Sequence, residues 1–175
     1  MTFDMADFIA RVAEWTPFYS VLAGVSATFA GLLFVSLSIN LETLSGPSGY
    51  GIRRLARHTF GCFIYLVIFA LIVIIPRQAP IGIGVPLLVT GMMALVQCLR
   101  TLRAAAREPD PRQRVREMPL YRLSMATYVV LLIVSLALLR GWAFALYLLV
   151  IVMIWQLSWA TRLAWDLLVT VRDSG

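Results

Sequence analysis

Hydrophobic residues in this chain come in five long runs, each closed off by proline or a charged residue. The first, Pro17 to Glu42, would be about 39 Å long as a helix, enough to cross a hydrocarbon core of about 30 Å with some tilt. Thr16-Pro17 reads as an N-cap followed by proline at the first helical position. The later runs predict helices over about 55–75, 81–99, 120–139 and 142–162. Loops are expected at Thr43–Gly51 and Pro76–Pro80, both rich in turn residues. Gly82, Gly84 and Pro86 loosen the start of the third run or let a neighbour approach closely. Arg140-Gly141 separates the last two runs, with Gly141 suited to a left-handed cap. Ahead of the first run, Phe8, Ile9, Val12 and Trp15 recur at helical spacing while Asp4, Asp7, Arg11 and Glu14 face elsewhere. A short helix over about 3–15 lying in the membrane interface is expected. The pattern as a whole predicts an all-α fold: a polytopic transmembrane helical bundle of five spans plus that interfacial helix, forming one membrane domain over 1–175.

Composition supports this. The chain is 61% hydrophobic with a mean hydropathy of +0.86, which leaves no room for a separate domain outside the membrane. Residues 1–16 lack the basic start and short apolar stretch of a cleavable signal peptide. The net charge of +6 is explained by topology, so no nucleic-acid partner is expected. All fifteen basic residues are arginine, and under the five-span scheme twelve fall on one side and three on the other. The positive-inside rule then puts the N-terminus outside and the C-terminus in the cytoplasm. Between spans three and four, 100–119 reads as a basic cytoplasmic loop. Arg53, Arg54, Arg57, Arg103, Arg107, Arg112, Arg114 and Arg116 are expected to meet anionic lipid headgroups, at about 1 kcal/mol per basic residue.

Small and hydroxyl residues mark one side of the first span: Ser20, Gly24, Ala27, Gly31 and Ser38, with Glu42 at its end. Membrane helices associate by close packing, so this seam is expected to pack against neighbouring helices of the same chain; a pore-lining or subunit-contacting face is the alternative. Trp142, Trp155, Trp159 and Arg162 read as interfacial anchors. The lone histidine, His58, is expected at the membrane interface. Cys62 and Cys98 both lie in apolar runs, where a disulfide is not expected. No ionisable residue falls in the middle of a span, and the deepest amides, Gln97 and Gln156, are expected to hydrogen-bond to other helices. No catalytic residue, cofactor or metal ligand set is expected, and the chain does not read as an enzyme.

The segment Gly31-Leu-Leu-Phe-Val-Ser-Leu-Ser-Ile-Asn40, with Gly24 upstream, resembles the first span of many small multipass bacterial membrane proteins, some loosely labelled as modulators of a membrane protease. The resemblance implies a bacterial inner-membrane location. It implies no activity, substrate or functional residue. The function expected is that of a non-enzymatic integral membrane protein acting through protein–protein or lipid contacts, as an accessory or regulatory subunit. The alternative is a homo-oligomeric ion channel lined by the first-span seam, with Glu42 as a charged ring at the mouth.

Overall fold

Inside a bilayer each backbone N–H and C=O must find a partner within its own segment, and the apolar runs of this chain do so as helices. The computed structural model describes residues 5–40, 49–142 and 144–174, with side chains at all of these except 49, 112, 113, 116 and 171–174. It contains α1 (Met5–Ile39), α2 (Gly49–Ile74), α3 (Pro80–Ala106), α4 (Pro111–Leu139) and α5 (Phe144–Ser174). All five are long and apolar enough to cross a membrane.

Helices α2, α3, α4 and α5 form a closed ring in which each touches the next and α5 returns to α2. Helix α1 lies outside the ring, mainly against α2, and touches α5 to a lesser extent. Phe29 of α1 stacks on Phe63 of α2 at 5.5 Å, and Trp15 meets Tyr147 of α5 edge-on at 5.5 Å.

Among the described residues there is no separate interfacial helix. Residues 5–16 continue into α1 as one helix, with Pro17 inside it rather than at its first turn. The reason lies in the phase of the apolar residues. Phe8, Val12, Tyr19, Leu22, Ser26, Ala30 and Leu33 are all buried, and with half-buried Trp15 they form a single heptad-spaced stripe running through Pro17. Burial of that stripe against α2 and α5 outweighs the one backbone hydrogen bond that proline cannot make.

The turns are set by local chemistry. Arg77 follows α2 in the left-handed region, at φ 57°. Gln78 Nε2 donates to the Ile72 carbonyl at 2.9 Å, covering one acceptor that the helix end leaves open. Gly141 takes φ 74° as expected. Its N–H donates to Leu138 O at 2.9 Å and that of Trp142 to Ala137 O at 3.2 Å, the two bonds of a Schellman cap. The segment 100–119 is not a loop. Helix α3 runs on to Ala106, α4 starts at Pro111, and a four-residue turn from Arg107 to Asp110 joins them.

Helix α3 packs most extensively against α4. Buried Gly84, Leu87, Gly91, Ala94, Cys98 and Ala105 form a heptad-spaced file along α3. A Cβ placed on Gly84 would come within 2.7 Å of Leu139 Cδ2 and 3.2 Å of the Ser135 carbonyl oxygen. The facing file on α4 is Glu117, Tyr121, Ser124, Tyr128, Leu131, Ser135 and Leu138, spaced alternately four and three and buried throughout. Its first four members are polar, so the interior is polar at the end carrying Arg53, Arg57, Arg103 and Arg107 (the basic end) and mostly apolar at the other.

Candidate functional site

The polar half of the interior is assembled from three helices. Arg54, His58 and Cys62 sit four apart on α2 and share one face, each about 6 Å further in than the last. They meet the α4 file in order. Arg54 grips Glu117 Oε2 through Nε at 2.9 Å and Nη2 at 2.6 Å, and Nη2 reaches Glu108 Oε2 at 3.0 Å. The Arg54 side chain is only 7% exposed and that of Glu117 8%. Tyr121 donates to the same Glu117 oxygen at 3.3 Å and presents its ring edge-on to His58.

One turn deeper, His58 Nε2 lies 3.0 Å from Ser124 Oγ, and Trp159 Nε1 of α5 donates to that oxygen at 3.0 Å. Ser124 in turn donates to Leu120 O at 3.2 Å. With His58 protonated at Nε2, the hydroxyl accepts twice and donates once, which exhausts its capacity. Deeper still, Cys62 Sγ stands 3.6 Å from Tyr128 OH and 3.8 Å from His58 Nε2, and Gln156 Nε2 donates to Tyr128 OH at 3.3 Å. Cys98 donates to the Tyr121 carbonyl at 3.4 Å.

Between α2 and α3, Tyr65 OH donates to Gln97 Oε1 at 2.9 Å. Both glutamines thus bond to a neighbouring helix, as expected. Beside this pair is a cavity of about 30 Å³, its polar lining including Arg57, His58, Gln97 and Thr101. That is room for a water molecule and little else. Among the described residues no group of three His, Cys, Asp or Glu side chains is placed to hold a metal ion.

Several sequence expectations change here. Arg54 is not a free surface cation; Nε and Nη2 are committed to two carboxylates inside the protein, which leaves only Nη1. Arg114 is likewise engaged, donating through Nε and Nη2 to the Glu108 carbonyl at 3.1 and 2.5 Å. His58 is buried between helices, with its ring nitrogen on Ser124. Trp159 is half-buried and turned toward Ser124, with Arg162 over its ring at 6.0 Å. Trp142 and Trp155 are exposed, as are Arg53, Arg57, Arg103 and Arg107. The side chains of Arg112 and Arg116 lie outside the described residues, as does Glu42.

The largest change concerns the seam on α1. Ser20, Gly24, Ala27, Gly31 and Ser38 are all exposed. A Cβ added at Gly24 or Gly31 would meet nothing within 4 Å. The seam therefore does not pack against this chain's other helices. It borders a groove of about 370 Å³ beside Gly24, walled by Val21, Val25, Thr28, Phe29 and Leu32. Ser20 and Ser38 donate to the carbonyls of Thr16 and Phe34, each at 2.9 Å, so their hydroxyls are satisfied within the helix. The internal small-residue seam is on α3 instead, at Gly84 and Gly91.

The sequence reading missed the ion triad and the hydrogen bonds around Ser124. A signal was present: Glu117, Tyr121, Ser124 and Tyr128 place polar groups on one heptad file of an otherwise apolar helix. No protein-family model, curated protein or solved structure matches the chain.

Proposed function

We propose that this is a non-enzymatic membrane subunit that acts by binding a transmembrane helix of another chain along the outward face of α1, and anionic lipid at its basic end. The observation that carries the reading is the open space over Gly24 and Gly31. Glycines on an outward helix face lower the barrier to backbone approach by a partner, and in lipid that approach is the main source of association energy. The buried polar groups favour a structural over a catalytic role, because Arg54 is held by Glu117 and Glu108, and Ser124 by His58, Trp159 and the Leu120 carbonyl. The arginine imbalance and the likeness to small bacterial multipass proteins support an inner-membrane location, N-terminus outside and C-terminus cytoplasmic. A reporter fused after Gly175 should then read cytoplasmic and a tag ahead of Met1 external; both ends on one side would overturn the five-span topology.

The test of the α1 face is Gly24→Leu and Gly31→Leu in full-length protein. Each should leave the protomer's melting temperature in detergent unchanged while removing a self-association or a copurifying membrane protein seen with the wild type. Retention of every partner would sink the reading. A pore lined by the same face, formed in an oligomer, predicts ion flux in liposomes that these variants reduce. The self-satisfied hydroxyls and the flanking Val21, Val25 and Leu32 make it the weaker of the two readings.

A further inference from the structure

Where α2 begins and α3 ends, a pocket of about 280 Å³ is lined by Tyr50, Arg54, Ala104, Arg107, Glu108 and Pro109. We propose that this pocket seats one glycerophospholipid headgroup, specifically a phosphodiester followed by an N–H or O–H donor such as ethanolamine or glycerol. The proposal deepens the lipid half of the functional reading above, turning a diffuse attraction into a site.

Four observations converge on it. First, Arg54 is buried, yet its Nη1 has no hydrogen-bond partner, although Nε and Nη2 are fully used. A buried guanidinium nitrogen without an acceptor is costly, and a phosphate oxygen is the acceptor its geometry suits. Second, the mouth carries both signs. Arg107 is exposed and contributes a second cation, while Glu108, held to Arg54 through Oε2, contributes carboxylate acceptors. A bare anion matches only the first; a phosphate with a donor one or two carbons further on matches both. Third, the depth the sequence implies is suitable. With hydrocarbon limits expected at 55 and 99, Tyr50 and Ala104 each lie five residues beyond, or about 7.5 Å, which would be headgroup level. Fourth, the cover is movable. The Tyr50 ring lies 5.5 Å from Arg54 Cζ and the residue is 59% exposed, so turning it aside sacrifices little packing.

The experiment is native mass spectrometry of the full-length protein in detergent, titrated with phosphatidylethanolamine, phosphatidylglycerol or phosphatidylcholine of matched chains. One ethanolamine or glycerol lipid should be retained per protomer about tenfold more tightly than the choline lipid, whose headgroup has no donor for Glu108. Ala104→Leu, which fills the pocket without altering charge, should abolish the preference, and Arg107→Gln should weaken it. Arg103→Gln, an equal loss of charge at an exposed residue outside the pocket, should leave it intact.

Equal retention of the choline lipid, or an unchanged preference in Ala104→Leu and Arg107→Gln, overturns the site. If inorganic phosphate alone displaces the lipid, the pocket takes free phosphate and the lipid assignment is wrong. The diffuse reading is tested separately, by salt-sensitive binding to anionic vesicles, which the pocket-filling variant should not change.

Discussion

Replacing Gly84 should cripple the bundle, whereas the same change at Gly24 or Gly31 should leave it intact. At Gly84 even an alanine Cβ falls 3.2 Å from the backbone carbonyl of Ser135 and 2.7 Å from Leu139. The leucine can rotate away, but the carbonyl moves only if α4 moves. Gly84→Ala should therefore cost about 1–3 kcal/mol, the usual penalty of overpacking. Gly84→Leu should separate the two helices and abolish a cooperative melt. On α1 the added leucine meets lipid or detergent, and its better helix propensity offsets any small loss, leaving stability within about 0.5 kcal/mol. Thermal denaturation of the four variants side by side decides the matter. Equal sensitivity at Gly24 and Gly84 would mean that α1 packs inward, contrary to the structure.

Removing Arg54 should have a comparable effect by a different route. Arg54→Leu takes the guanidinium away from Glu117, 6% exposed, and from Glu108. Breaking a buried ion pair by removing one partner typically costs about 3–5 kcal/mol. The double variant Arg54→Leu/Glu117→Leu should recover part of that loss, since apolar pairs of similar volume often replace buried ion pairs without penalty, while Glu108 still lacks its arginine. The control is Arg53→Leu, the neighbouring exposed arginine, which should be near neutral. A single Arg54 variant as stable as the wild type would show that the triad does not hold α2 to α3 and α4.

The five helices were readable because span length and hydropathy are properties of contiguous residues. The same holds for the Gly141 cap, which needs only one residue able to take positive φ. The close approach at Gly84 was among the readings offered for the glycines of span three. Two features depart from the sequence pattern for physical reasons. Proline favours first turns, so Pro17 reads as a helix start, but the stripe from Phe8 to Leu33 keeps one phase across it, and tertiary burial prevails. The α1 seam was expected to face inward because small residues permit close packing; periodicity identifies a face but not its direction. The pairing of Arg54 with Glu117, 63 residues away, follows from how the ring sets α2 and α4 across its interior from each other, which no local pattern encodes.

Helix α5 comes later in the chain than both helices it joins, and it is the piece that closes the ring between α2 and α4. Until it is in place, the Ser124 hydroxyl lacks the Trp159 donor and Tyr128 lacks Gln156, and both open toward lipid from an otherwise hydrophobic wall. The first four helices can be threaded into the bilayer one after another, yet their polar flank stays unsealed through that whole interval. Biogenesis of this protein thus has a vulnerable stage late in synthesis, when a half-finished bundle displays to the membrane the groups that will later lock it.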